Sequence, residues 1–336
     1  MLEEHLFNKA FFVSINQCYN YPGRAFIAIQ KMFDYISNMK NILTAFIFLC
    51  SFSAFSQSST EIYLFDMKID KGQITVSNGL NITRHKGYDN QPFFHPEKPL
   101  IYYTSSNDST RIDSSDIKIY NYQTGKTTRF TTTSDREYSP TVTPDAQFIS
   151  CILQRKNGAQ DLAKYPIAGG QPKVLISHLR VGYHAWADEN RVLMFILDDS
   201  IHFSLHFYDL SKDADTVIAE NIGRGVNKIP GQNAMSFIQR ISDTLSVIKK
   251  FDLNNDAVTN IIYTLKGKDL LTWLNNNTIL MSDGKKIFSY QANAYEEFKD
   301  HKWKPVIIKG NTAMLKGITR LAVNADNTKL AIVVNE

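Results

Sequence analysis

Two histidines four residues apart, His202 and His206, are the first pair in this 336-residue chain that could hold a metal ion. On a helix that spacing would turn both imidazoles to one side. Their setting, Ile201-His-Phe-Ser-Leu-His-Phe-Tyr208, reads instead as a strand. There an even spacing keeps the rings on one face but about 13 Å apart, too far for ligands that must lie about 2.1 Å from one zinc. Glu137 and His184 could act as a general acid–base pair if the fold brought them within hydrogen-bond reach. Arg136, Arg180, Arg224 and Arg320 offer planar donor forks that suit carboxylates. The chain has no Walker loop, dinucleotide-binding Gly-x-Gly-x-x-Gly, EF-hand loop or Gly-x-Ser-x-Gly elbow. Gly223-Arg-Gly225 is followed by no helical pattern and reads as a turn. No cofactor or metal is expected from these motifs.

Cysteine adds little. Cys18 and Cys50 fall near the N-terminus, leaving Cys151 alone in the body of the chain, unable to form an internal disulfide or a cysteine-based zinc site. It lies in the strand-like run Gln147-Phe-Ile-Ser-Cys-Ile-Leu153 and reads as a small buried hydrophobe. The net charge of +4 gives no electrostatic reason to expect nucleic acid. A hydrophobic fraction of 43% is ample for a core, and 16 Tyr with 21 Phe favour the half-buried pleat of strands.

Met39 opens a stretch that reads as an export signal. Lys40 supplies the positive start, Ile42 to Phe52 the apolar run, and Ala54-Phe-Ser56 a small-x-small cleavage site before Gln57. The apolar run is too short to span a bilayer. Residues 39–56 are therefore expected to be a signal peptide, and the protein to be periplasmic or extracellular rather than membrane-spanning. Residues 1–38 would then be an upstream extension outside the fold. Cys50, after Ile47-Phe-Leu49, offers an alternative as a lipid anchor, although Leu49 is bulkier than the small residue usual at that point. Without residues 1–56 the chain keeps 33 Lys and Arg (37 − 4) and 30 Asp and Glu (33 − 3), still near neutral.

The elements that would position the polar residues emerge from an internal repeat. Six segments share a short strand, a turn containing Pro or Ala beside Asp, Asn, Glu or Gly, and a second apolar strand. Their turns fall at Pro96, Pro144, Ala187, Pro230, Leu274 and Ala325, spaced by 48, 43, 43, 44 and 51 residues. The apolar strands that follow include Leu100-Ile-Tyr-Tyr103, Val192-Leu-Met-Phe195 and Leu330-Ala-Ile-Val-Val334. Such hairpins, repeated with a period in the mid-forties and about four strands each, predict the blades of a six-bladed β-propeller, an all-β fold. A β-sandwich with irregular strand spacing is the alternative.

A second series supports the count. Aromatic-ended third strands close at Tyr120, Tyr165, Tyr208, Phe251 and Tyr290, one for each of the first five hairpins. The sixth hairpin runs into Glu336, while a spare copy, Phe65-Asp-Met-Lys68, stands ahead of the first hairpin. Gln73-Ile-Thr-Val-Ser77 could be its fourth strand. An unclosed ring would leave a bare sheet edge. The N-terminal strands are thus expected to complete the last blade, making residues 57–336 one propeller domain.

In a propeller the first strand of each blade lines the central channel, and the loop entering it forms one mouth. The residues expected there are Asp89, Asn90, Gln91, Arg136, Glu137, Tyr138, Arg180, Tyr183, His184, Arg224, Asn227, Lys268, Asp269, Thr319 and Arg320. A few convergent polar groups of this kind would orient a polar ligand. Trp186 and Trp273 are read as packing between blades.

Tyr138-Ser-Pro-Thr-Val-Thr-Pro-Asp145 resembles the Tyr-Ser-Pro-x-x-Ser-Pro-Asp-Gly blade motif of TolB-like propellers. Asp89-Asn-Gln-Pro-Phe-Phe-His-Pro-Glu97 and Leu321–Val334 are similar to the same motif. Ala146 and Asn327 stand where that motif usually has Gly, and the fourth and fifth blades keep only the turn chemistry. The resemblance covers about residues 58–336. It implies a propeller, an exported location and protein partners. The α/β domain that precedes the propeller in TolB is not expected between Gln57 and Phe65. The functional expectation is a noncatalytic, monomeric binding protein taking a protein partner or a small polar or anionic ligand at the mouth, around Tyr138, His184, Arg224 and Arg320. The alternative is a metal-assisted hydrolase or lyase working at the channel.

Overall fold

In the second strand of each repeat, apolar residues run without alternation. A strand built that way is stable only where both of its faces are covered. The computed structural model meets that condition by stacking sheets face to face. It describes residues 59–84, 86–107, 114–199, 202–292 and 302–336. The expected signal peptide, the upstream extension and Cys50 lie outside the described residues.

Four sheets have four antiparallel strands each. The first joins β7 (Arg136–Val142), β8 (Phe148–Gln154), β9 (Gln160–Pro166) and β10 (Lys173–Ile176). The second joins β11 (Val181–Trp186), β12 (Arg191–Leu197), β13 (Phe203–Asp209) and β14 (Ala214–Glu220). The third joins β15 (Asn227–Lys228), β16 (Ala234–Arg240), β17 (Ser246–Asp252) and β18 (Val258–Tyr263). The fourth joins β19 (Thr272–Trp273), β20 (Thr278–Ser282), β21 (Ile287–Gln291) and β22 (Lys304–Pro305).

A nine-stranded sheet resolves into two more such sets. One is β3 (Gly87–Phe94), β4 (Leu100–Asn107), β5 (Ser115–Asn121) and β6 (Lys126–Arg129). The other places β1 (Thr60–Asp70) and β2 (Gln73–Asn81) beside β25 (Lys329–Asn335) and β24 (Ile318–Val323). A single parallel bridge, Thr60 to Tyr88, links the two sets, and β23 (Ile307–Ile308) runs parallel along the outer edge of β2. Each set is a propeller blade, and in chain order the blades start at β3, β7, β11, β15, β19 and β24.

The closing strand sits where the spare repeat implied. β1 pairs antiparallel with β25 from Thr60↔Asn335 to Asp66↔Lys329, and Lys329 Nζ binds the Asp66 carboxylate. Phe65 is buried, as are the third-strand aromatics Tyr120, Tyr165, Tyr208, Phe251 and Tyr290.

Burial follows position in the blade. The centres of β8, β12 and β25 are buried without a break, whereas β14 and β6 are mostly exposed. Cys151 is fully buried on β8, and burial holds its thiol pKa well above the usual range, as suits an inert hydrophobe.

One detail of the repeat needs correction. The turns are closed by the backbone bonds of His95, Thr143, Ala187, Ile229, Leu274 and Asn324 to the start of the next strand. In the third and fifth blades that bond spans four residues (Ala187 to Arg191, Leu274 to Thr278) instead of five (Thr143 to Phe148). Ala187 and Leu274 therefore correspond to Thr143, one place before Pro144.

Candidate functional site

Aligned on those turn bonds, the first strands contribute to one cavity of about 500 Å³. The four residues before each turn all line it. Its end nearest the entering loops carries Gln91, Ser139, Tyr183, Gly225, Leu270 and Arg320, and its far end Phe94, Val142, Trp186, Lys228, Trp273 and Val323. The cavity is the central channel. A smaller recess of about 180 Å³ shares Arg224, Leu270, Arg320 and Leu321 with it and adds Lys268, Asp269 and Thr319. That recess is the mouth.

The two mouth arginines are in different states. Arg224 already grips a carboxylate: its Nε donates to Asp269 Oδ2 at 3.0 Å and its Nη2 to Oδ1 at 2.8 Å. Arg240 adds a longer bond of 3.4 Å to the same carboxylate. Burial would raise the Asp269 pKa, but the Arg224 hydrogen bonds and charge outweigh it and hold it low. Arg320 reaches Tyr183 on another blade. Its Nη2 donates to the Tyr183 hydroxyl at 3.3 Å, and its guanidinium carbon lies 5.2 Å from the ring centroid. Arg320 Nε is buried and has no partner among the described residues.

This arrangement tunes the neighbouring phenols. Burial alone would raise the Tyr183 pKa, but Arg320 and then Arg224 overcome it and leave it lowered. Tyr88, which the sequence reading passed over, faces the same group. Burial raises its pKa against the pull of Arg320, with Tyr138, Tyr183 and Arg224 also acting on it.

His184 lines the channel and is only 6% exposed. Burial lowers its pKa to about 3, so the ring is neutral at pH 7. Its Nε2 lies 2.7 Å from Ser150 Oγ, which also accepts from Trp186 Nε1 at 2.8 Å and stands 3.1 Å from the Thr141 carbonyl. His184 Nδ1 has no partner, and neither does Ser139 Oγ on the same wall. Trp273 Nε1 repeats the Trp186 contact, donating to Ser236 Oγ of the preceding blade at 2.8 Å. Both tryptophans thus pack between blades as expected, and both also line the cavity.

Of the other residues expected at the mouth, Gln91 and Asn227 line the channel, and Lys268, Asp269 and Thr319 line the recess. Gln91 Oε1 accepts from Thr104 and from the Ser139 amide, tying the first two blades together. Several others turn elsewhere. Tyr138 is packed against the apolar cluster of Ile152, Leu162 and Val181. Asp89 and Asn90 are buried, and Asn90 Oδ1 accepts from the Gln91 amide. Arg136 is half-buried and Arg180 exposed, and neither lines the cavity or the recess.

The acid–base pair of Glu137 and His184 does not form. Glu137 is fully buried and accepts from Thr131, Thr133 and Tyr165, while His184 bonds Ser150. Glu137 precedes the bulge at Ser139–Pro140, whereas His184 follows the bulge of its own strand. Such an irregularity re-aims the side chains on either side of it. His202 and His206 likewise part company: His202 is exposed and binds Asp199, and His206 is buried between Asp215 and Ser204. Among the described residues no group of three or more His, Cys, Asp or Glu is placed to hold a metal ion. Nor is any helix there long and apolar enough to cross a membrane.

Ringed four-stranded blades around a lined channel define a β-propeller. Among solved structures, the chain is similar to a TolB-type protein of Agrobacterium tumefaciens, with a TM-score of 0.60 and 12% identity over 83% of this chain and 99% of that one. TolB of Acinetobacter baumannii gives 0.50 and 11%, over 83% of this chain and 64% of that one. A chain of the nidogen–laminin complex gives 0.51 and 9%, over 74% and 97%. No protein-family model and no curated protein matches the sequence. The fold is that of the TolB-like β-propellers.

Proposed function

We propose that the protein is an exported, noncatalytic binding propeller that takes an anionic group at its channel mouth, from a protein partner or a small polar ligand. The observation that carries this is the contrast between the two arginines. A guanidinium edge presents Nε and Nη2 side by side to a carboxylate. On Arg224 that edge is filled by Asp269. On Arg320 it holds one phenol at 3.3 Å, and Nε is buried without a partner. A buried donor left unmade costs on the order of 1–3 kcal/mol, which an incoming carboxylate would recover. The TolB-like fold supports a binding role, and the Met39–Ser56 pattern supports export.

Arg320→Ala should weaken a captured partner or ligand by about 1–3 kcal/mol, measured by titration calorimetry after pull-down from the native envelope fraction. Full affinity in that variant, with loss on substitution of an outer blade face, would move the site off the mouth.

A further inference from the structure

Behind Arg320 the channel wall holds two more unsatisfied groups, and they say what the rest of the ligand must be. His184 is 6% exposed, lines the cavity, and has Nδ1 without a partner. Its other nitrogen is committed to Ser150. The Ser150 hydroxyl has one proton, to give either to the Thr141 carbonyl or to His184 Nε2, and it already accepts from Trp186. In the first case His184 Nδ1 is a bare acceptor; in the second it is an N–H donor. A hydroxyl group, which donates and accepts, satisfies it in both. Ser139 Oγ, buried and unpartnered on the neighbouring blade, asks for the same kind of group.

Tyr183, which receives the Arg320 bond, is next to His184 in sequence, and Arg320, Tyr183, His184 and Ser139 all line the same cavity. That space, about 500 Å³, is of the size that encloses small organic molecules. The far wall offers the indoles of Trp186 and Trp273, each fixed by its bond to a serine of the preceding blade.

Resting on the reading of the mouth as an anion site, we infer that the channel binds a small hydroxylated carboxylate. Its carboxylate takes the Nε and Nη2 edge of Arg320, displacing the Tyr183 hydroxyl, and its hydroxyls meet His184 Nδ1 and Ser139 Oγ. Binding involves no bond making or breaking.

Titration calorimetry on the folded protein with gluconate, hexanoate and sorbitol tests this. Gluconate should bind at least tenfold more tightly than hexanoate, and sorbitol, which lacks the carboxylate, should not register. His184→Phe should reduce gluconate to the level of hexanoate and leave hexanoate unchanged. Ser139→Ala leaves the Ser150 network untouched, so it serves if His184→Phe no longer melts cooperatively; it should weaken gluconate at least threefold. Arg320→Gln should abolish both carboxylates. Equal binding of gluconate and hexanoate, both lost in Arg320→Gln, would overturn the hydroxylated ligand and leave the mouth reading standing. Absence of any Arg320-dependent carboxylate binding would overturn both.

Discussion

Ring closure can be tested at one side chain. Phe65 on β1 is 1% exposed and belongs to a core cluster with Leu280, Leu330 and Ile332, so it joins the closing strand to the fifth and last blades. Cutting it to Ala removes a buried aromatic and leaves a cavity, a change that costs about 3–5 kcal/mol. For a domain of this size each kcal/mol moves Tm by about 2 °C, so a fall of roughly 6–10 °C is expected by scanning calorimetry. Gly79 on β2 supplies an internal control. A Cβ built there would stand 2.5 Å from Cε1 and Cζ of the Phe65 ring, in backbone that is otherwise ordinary. Gly79→Ala should therefore cost about 1–3 kcal/mol by overpacking. In the Phe65→Ala background the new methyl enters the vacated space, so the double variant should be clearly more stable than the sum of the single effects. A Tm shift below 2 °C for Phe65→Ala, or strict additivity of the pair, would refute the packing of β1 into the last blade.

Three further outcomes are expected. Glu137 keeps its proton up to about pH 7 in the folded protein because burial raises it from 4.5. Its contribution to stability is full below 4.5 and is lost as pH rises through 7, a fall of about 3 kcal/mol. Glu137→Gln should flatten that part of the urea-unfolding profile; an unchanged slope would mean that the burial of Glu137 is misjudged. Deleting residues 57–70 strips β25 of one of its two partner strands and bares that edge, so the truncated protein should aggregate or lose its cooperative melt, seen by size exclusion and calorimetry. If the proposed export is right, N-terminal sequencing of the protein purified from its native host should begin at Gln57; a cytosolic product retaining residues 1–38 would contradict export.

The fold was largely legible because propeller blades impose two patterns at once. Turn chemistry recurs, and the second strands read as unbroken apolar runs since each lies between two neighbouring blades. The spare Phe65 repeat was readable for the same reason, as an aromatic third strand with no hairpin before it. The site was harder. Arg224, His184, Asn227 and Arg320 line the cavity, and the strand that carries each, with the loop entering it, was readable in the sequence. Glu137 and Tyr138 were not, because bulges just beyond them re-aim the side chains, and no residue type marks those bulges: Gln91 and Ser139 hold positive φ without being glycine. Tyr88 had no signal of its own. Asp269 was expected at the mouth, but its grip on Arg224 joins residues 45 positions apart and depends on the closed ring.

The pairing of β1 with β25 also sets a timetable. Asp66 and Lys329, which meet across that seam, are 263 positions apart. A ribosome adding about 5–20 residues per second makes the first of them roughly 13–50 s before the second. For that interval Ile62, Leu64, Phe65 and Met67, all buried in the finished protein, have no partner strand on that side. The native ring cannot form cotranslationally blade by blade and be done; its last step must wait for the final strand. Ring closure thus depends on contacts as much as 277 positions apart, and such contacts form slowly. A nascent chain held open this long is one that a holding chaperone can intercept and a translocation pore can thread before any stable structure has to be undone.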